Sequence, residues 1–427
     1  MALQKPRGTL DWYGEQLDKF NRVGEILRSL ANFYRFNEIV TPTFENLELF
    51  NKSVGETSDI VSKELYNFQD KGGRNIALRP EGTAGVVRSY VEEKMYANKI
   101  GPTKLFYLIN LFRYERPQGG RLREFHQFGV EYLNVDNPLN DVECIFFATN
   151  ILNAFGLQNS VKLKINNLGS LEQRKLWIEE LKKYFEPYKN QLTEDSIKRL
   201  DKNPLRILDD KVDGEKDFVK NAPKLSNFLS EEDKEYFEFI TQSLEALKVD
   251  FEIDESLVRG LDYYTGIVFE FVSTDENLVG KSTIIGGGRY ANLIKQTGGP
   301  DYQGLGFAIG IERLIIALES IGYDFEIDNS VDVFIGCKDE AISLIGLGLA
   351  GLLRNTGLTT DIEYGVFKKD KNAKLAIRNQ AKFYIWIDEE SVEKNQISIE
   401  DMSTNTKEYV KFDDVPNYIF EKLASRN

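Results

Sequence analysis

FRYERPQGGRLREFHQFGVE, residues 112–131, reads as two extended arms joined by a PQGG turn. The first arm runs back through KLFYLIN and the second forward through YLNV, both aromatic and alternating. With ELYNFQD and NIALRPEG upstream, this spacing predicts strands of an antiparallel sheet more than βαβ units. The hairpin also concentrates positive charge. Arg113, Arg116, Arg121 and Arg123 outnumber Glu115, Glu124 and Glu131, in a chain of formal net charge −14. Guanidinium forks pair with phosphate oxygens at roughly 1.5–3 kcal/mol per charge-assisted bond. A phosphate-rich ligand is therefore expected, although a solvated hairpin has the same pattern.

Composition bounds what surrounds this hairpin. At 427 residues, two or three domains are expected, and 41% hydrophobic with 12% aromatic content is ample for packed cores. The acidic balance argues against a general basic coat for nucleic acid, so any such contact must be local. Cys144 and Cys337 lie far apart without CxxC spacing, which suggests neither a disulfide framework nor a zinc site and fits a reducing cytoplasm. His126 is the only histidine, so the chemistry must lean on arginines, carboxylates, tyrosines or a metal held by oxygens. The opening MALQKPRGTLDWYG has no apolar signal core, and AISLIGLGLAGLL at 341–353 falls short of the ~20 residues of a membrane span. A cytoplasmic protein without membrane contact is expected.

Along the chain, Leu17, Phe20, Val23, Leu27, Leu30 and Tyr34 mark one face of an amphipathic helix. EIVTPTFE is a β-branched run broken by Pro42, an edge that could meet another subunit. From about 170 to 250 the texture turns charged and helical, with Ser230 and Asp233 in capping-box-like spacing. Strand-like texture returns at 259, and from 331 to 427 strands and helices alternate as in a separate small α/β domain. A helix is expected near 340–355, although Gly346, Gly348 and Gly351 each cost ~1 kcal/mol relative to alanine.

Three further clusters carry candidate chemistry. In RPEGT, Arg79–Thr83, Glu81 could accept hydrogen bonds from an ammonium group, or the segment is an ordinary solvated turn. In RGLDYYTGIVFEF, 259–271, core packing explains Ile267, Phe269 and Phe271 but not Arg259, Asp262 or the Tyr263–Tyr264 pair, whose rings could wall a pocket for a flat polar ligand. GGGRY at 286–290 and GLGFAIGIERL at 304–314 allow close backbone approach, with Arg313 placed to reach phosphates. None of these is a P-loop or a Rossmann fingerprint.

Taken in order, these segments resemble the histidine–tRNA ligase family of class II aminoacyl-tRNA synthetases over essentially the whole chain. RGTLDWYG resembles that family's opening segment, EIVTPTFE its first motif, FRYERPQGGRLREFHQFGVE its second and GLGFAIGIERL its third; RGLDYYTG and GGGRY resemble its two histidine-specific signatures. The resemblance implies an α+β fold: a class II catalytic domain over 1–325, built on a six-stranded antiparallel sheet with the helical insertion at about 170–250, and an α/β anticodon-binding domain over 331–427. It implies ligation of L-histidine to tRNA(His) through histidyl-adenylate, with ATP and Mg²⁺ bound together, no dedicated protein metal site, and a homodimer. Carried over residue by residue, Glu81, Gly82 and Thr83 would hold the histidine amino group with Gln127 nearby, Glu131 and Tyr264 would read the imidazole, and Tyr263 would line the pocket. Arg113 would grip the α-phosphate, Glu115 the adenine edge, Phe125 the adenine face, and Arg121 and Arg313 the outer phosphates. Arg259 would lie between the histidine carboxylate and the α-phosphate, and Arg116 and Gln118 would meet the tRNA acceptor end. In the transfer step a phosphate oxygen or a side chain such as Gln127 assists. The competing resemblance is to the regulatory subunit of ATP phosphoribosyltransferase, a non-catalytic paralogue; the arginines at 113, 121, 259 and 313 and the last domain weigh against it.

Overall fold

The structure, a computed structural model, describes residues 3–55, 58, 60–97, 101–117, 120–202, 204–208, 210, 212–258, 263–274 and 283–425. The chain divides into two compact units, Met1–Phe325 and Glu326–Asn427.

In the first unit the strands are β1 (Asn37–Glu38), β2 (Phe44–Asn46), β3 (Asn67–Gln69), β4 (Asn75–Leu78), β5 (Thr103–Phe112), β6 (Glu124–Leu133), β7 (Val161–Asn167), β8 (Glu252–Ile253), β9 (Tyr264–Ser273), β10 (Thr283–Tyr290) and β11 (Gly304–Gly310). Among the described residues, eight of these form one sheet in the order β1-β5-β6-β11-β10-β9-β7-β8. Its six central strands are antiparallel, and β1 and β8 add short parallel pairings at the two edges. Strands β2, β4 and β3 form a separate antiparallel sheet, so ELYNFQD and NIALRPEG stand outside the main one. Pro42 falls between β1 and β2, where a residue without an N–H donor ends one ladder before the chain joins the other.

Register decides which side chains share a face, because directly paired residues point the same way. Glu131 pairs with Leu105 and Gly306, Gly129 with Tyr107, and Tyr290 with Gly304 and Tyr264. This face is rich in glycine, tyrosine and carboxylate. The opposite face carries Phe106, Phe128, Val130 and Phe307, all buried. It packs against the helix Pro138–Ala154, whose Phe147 ring lies 5.6 Å from Phe307 and 5.5 Å from Phe36. Each such buried side chain contributes roughly 1.5–3 kcal/mol. The helix expected from Leu17 to Tyr34 spans Gly14–Phe33 and buries Val23, Leu27 and Ala31.

Between β7 and β8 the chain is helical, at Leu171–Phe185, Glu194–Lys202, Leu205–Leu208, Asp217–Lys220 and Glu231–Ala246. Ser170 and Gln173 form a reciprocal capping box at the first helix, and Ser230 accepts from the Asp233 amide at the last. Trp177, Leu181 and Phe185 are buried there, and Trp177 Nε1 donates to Pro223 O at 2.6 Å.

The second unit holds β12 (Val333–Cys337), β13 (Thr360–Glu363), β14 (Phe383–Ile387), β15 (Gln396–Asp401) and β16 (Thr406–Lys411) in the order β13-β12-β14-β15-β16. The first three are parallel and the rest antiparallel. Strands β12 and β14 are buried at every residue, the mark of strands covered on both faces. The glycine-rich stretch does form a helix, Glu340–Asn355, capped by Asp339. A Cβ at Gly346 would lie 2.6 Å from Cys337 Sγ, so that glycine lets the helix approach the sheet. No helix among the described residues is long and apolar enough to cross a membrane.

Candidate active site

A cavity of about 360 Å³ opens on the glycine- and tyrosine-rich face of the main sheet. One part of its wall is acidic. Glu81 precedes the helix Thr83–Glu92, and its carboxylate accepts the Thr83 amide at Oε2 and the Ala84 amide at Oε1, both at 2.8 Å. It thus caps two amides that a helix start leaves without intrahelical partners. Thr83 Oγ1 donates to Glu131 Oε1 at 2.7 Å, and Tyr290 Oη donates to Glu131 Oε2 at 2.7 Å. Burial pushes both carboxyls above their ordinary range, Glu131 up to about 8, with the charge of Glu81 adding to the rise and the two hydroxyl donors opposing it. Tyr107, Tyr263 and Tyr290 are pushed well above the usual phenol range by the same burial, so they enter the site as neutral hydroxyls.

Glycines make the room. A Cβ at Gly82 or Gly129 would fall 2.3 or 2.2 Å from Tyr107 Cζ, and one at Gly304 would fall 2.0 Å from Tyr290 Cε2. At Gly306 it would lie 2.4 Å from Glu131 Oε2.

The rest of the wall is cationic. Arg113 Nε donates to Pro80 O at 2.8 Å, and its guanidinium stands 5.3 Å from the Phe125 ring centre. Arg121 pairs with Glu115 at 3.4 Å. Arg313, just inside the helix Ile311–Ser320, donates to Gly120 O and Thr283 O at 3.3 and 3.2 Å. Its pKa is lowered, first by burial and then by the nearby charge of Arg121. Arg113 lies within electrostatic reach of both Glu81 and Arg313 and so joins the two parts.

The structure brings Glu81, Thr83, Arg113, Glu115, Arg121, Phe125, Gln127, Glu131, Tyr263, Tyr264 and Arg313 to this one cavity. Gly82 lies beneath the Tyr107 ring and does not line it. Arg116 is exposed and away from the lining, whereas Gln118 and Arg259 are outside the described residues. Arg123 stacks on the Tyr114 ring at 3.9 Å, and Arg79 is buried in hydrogen bonds to Thr41 O and Asn110. The surplus of arginine thus serves partly the cavity and partly the scaffold.

Sequence reasoning missed Tyr107, Tyr290 and Glu312. Tyr290 was visible as the last residue of GGGRY, but its carboxylate partner is 159 residues away. Glu312 accepts the His126 amide at both oxygens, 2.9 and 3.0 Å, and faces His126 Nδ1 at 3.0 Å. The one histidine is therefore tied to a cavity-lining carboxylate, with Phe20 and Trp12 packed edge-on at 4.8 and 5.8 Å.

An antiparallel sheet presenting arginines of a hairpin and of a following helix to one cavity defines the fold of a class II aminoacyl-tRNA synthetase. A family model described as histidyl-tRNA synthetase matches residues 8–314. The histidine–tRNA ligase of Malacoplasma penetrans is 45% identical over 426 residues, covering 100% of both chains. That of Ureaplasma urealyticum serovar 10 is 47% identical, covering 95% of this chain and 98% of its own. The crystal structure of apo S. aureus histidyl-tRNA synthetase superposes with a TM-score of 0.83 at 37% identity, covering 98% of this chain and 100% of that one. The chain belongs to the histidyl-tRNA synthetase family.

Proposed function

We propose that the chain ligates L-histidine to tRNA(His) in two steps, through a histidyl-adenylate. The observation that carries this reading is a single cavity in which a buried carboxylate and phenol wall meets three arginines. Such a cavity suits an amino acid with a cationic ammonium and a hydrogen-bonding ring beside a polyphosphate. Glu81 and Thr83 take the ammonium group with Gln127 beside them, and Gly82 supplies the close turn. Glu131 and Tyr264 read the imidazole, and Tyr263 walls it. Arg113 grips the α-phosphate, Arg121 and Arg313 the outer phosphates, Phe125 the adenine face and Glu115 its edge.

In the first step a carboxylate oxygen of histidine attacks the α-phosphorus and the bond to diphosphate breaks. The carboxylate is already ionised, so no base is needed; alignment and fixed positive charge lower the barrier. Arg259, between carboxylate and α-phosphate, is the proposed electrostatic catalyst. Mg²⁺ comes bound to ATP, whose phosphate oxygens are ligands of the kind a hard cation takes, and supplies further charge neutralisation. Among the described residues no group of three or more His, Cys, Asp or Glu is arranged to hold a metal. In the second step the tRNA terminal hydroxyl attacks the acyl carbon and AMP leaves. Arg116 and Gln118 meet the acceptor end. The second unit takes the anticodon, and the exposed Lys369, Lys371, Lys374 and Arg378 of the helix Lys369–Arg378 support that role. A homodimer forms through the first-motif edge, where Val40 and Phe44 are exposed apolar residues.

The test is ATP–diphosphate exchange with each of the twenty amino acids. Exchange with histidine alone is expected. No exchange with any amino acid, from folded protein, would overturn the reading in favour of the regulatory paralogue.

A further inference from the structure

The geometry points to Tyr290 as a positioning residue for substrate selection: its hydroxyl orients Glu131 so that the carboxylate meets the ligand as an ionised acceptor in one fixed plane. This rests on the reading of the cavity as a histidine site. Each oxygen of Glu131 takes one donor, Thr83 Oγ1 on Oε1 and Tyr290 Oη on Oε2, both at 2.7 Å. Both donors are buried. A carboxylate held at both oxygens cannot turn about its last bond without breaking one of these two bonds, so its free lone pairs have a set direction.

Tyr290 is itself held from three sides. Its ring occupies the space left by Gly304, where a Cβ would sit 2.0 Å from Cε2. The Tyr263 ring stands edge-on at 5.5 Å. Its neighbour Arg289 anchors the strand from the opposite face by a bidentate pair with Asp141. A hydroxyl so fixed adds direction at little entropic cost.

The groups acting on Glu131 all bear on its charge. Glu81 lies just before the helix Thr83–Glu92 and Thr83 at its start, Tyr107 on β5, Tyr263 just before β9, Tyr290 on β10, and Cys144 on the helix Pro138–Ala154. Of these, the hydroxyls of Thr83 and Tyr290 favour the ionised form, while Glu81 opposes it. A ring N–H of the substrate supplies the remaining donor. An amino acid without an N–H at that place leaves a buried carboxylate short of a partner, which is how such sites reject isosteres.

The experiment is Tyr290→Phe in the full chain, with histidine KM and kcat read by ATP–diphosphate exchange from pH 6 to 9. Loss of the hydroxyl raises the pH at which Glu131 ionises, so KM should rise about tenfold at neutral pH while kcat stays within a few-fold, and the pH midpoint of histidine affinity should move upward. An unchanged KM and profile, or a raised KM with an unmoved midpoint, would overturn the proposal and leave Tyr290 a packing residue. Replacing Tyr290 by 3-fluorotyrosine keeps the ring in its socket and strengthens the donor; the midpoint should then move down, and an unmoved midpoint overturns the proposal whether or not the phenylalanine variant folds. Wild-type protein run in parallel separates the two readings, since absence of histidine-dependent exchange there refutes the site and not the role of Tyr290.

Discussion

Arg289 grips Asp141 with two parallel bonds, Nε to Oδ1 at 2.9 Å and Nη2 to Oδ2, although the two residues are 148 apart in sequence. The same guanidinium donates to Val135 O at 3.1 Å and Gln303 Oε1 at 2.6 Å, and stands 5.7 Å from the Tyr236 ring of the helix Glu231–Ala246. One cation thus ties β10 to two helices and two loops. Asp141→Ala leaves that cation buried without its carboxylate and should destabilise the first unit by about 3–5 kcal/mol in urea unfolding. The double variant Asp141→Leu with Arg289→Met removes both charges and should lose less than either single change. Equal or greater loss in the double variant would mean that the pair itself stabilises the fold.

The Glu131 carboxyl gives a pH dependence whose sign follows from its raised pKa. Its folded-state value of about 8 lies above the ordinary 4.5, so the folded state holds the proton more tightly than the unfolded chain. The associated stability is fully present below the ordinary value and is lost as pH rises through about 8. Thermal unfolding of ligand-free protein should show Tm falling between about pH 4.5 and 8 and levelling off above that. Glu131→Gln, which cannot ionise, should flatten that fall and be roughly 1–3 kcal/mol more stable at pH 9, while losing histidine-dependent exchange. A Tm curve as steep as wild type would place the titrating group elsewhere.

Glycines in the second unit should sort by what surrounds them. Gly348 and Gly351 have nothing within 4 Å of a built Cβ, so alanine at either should stabilise the helix Glu340–Asn355 by about 0.5–1 kcal/mol. Alanine at Gly346 meets Cys337 Sγ at 2.6 Å and Ile362 Cδ1 at 3.0 Å and should instead destabilise, by about 1–3 kcal/mol. Denaturant midpoints of the three variants decide it.

Arg113 and Arg313 should separate kinetically. Arg113→Lys keeps the charge but loses the planar fork, and a fall of about 10²–10³ in exchange kcat is expected if it holds the α-phosphate as charge develops. Arg313→Ala should act mainly on KM for ATP. A kcat within threefold of wild type for Arg113→Lys would remove it from the reacting phosphate.

The sheet and most of the cavity were legible in the sequence because their signals are local. Strands β5 and β6 announce themselves by alternation, and the arginines of their hairpin by a charge surplus in an acidic chain. What was not legible depends on pairing across long separations. Tyr290 and Glu131, Arg289 and Asp141, and Glu312 and His126 each meet only because β10, β6 and the helix after β11 come together. Alternation also could not tell that β2, β3 and β4 form their own sheet, since any half-buried strand shows the same period. A guanidinium in a turn likewise reads the same whether it meets a ligand or, as Arg79 does, backbone carbonyls of Thr41 and Asn110.

Gly82, Gly129 and Gly304 make room for the Tyr107 and Tyr290 rings that line the site, and that limits how it can change. Every single-step replacement at these positions adds a Cβ against a tyrosine ring, so the layer beneath these rings is closed to gradual exploration. A lineage altering its amino-acid preference would have to shrink Tyr107 or Tyr290 first, leaving a void, before any of the three glycines could vary. The order of allowed mutations is written into the stacking of ring on glycine.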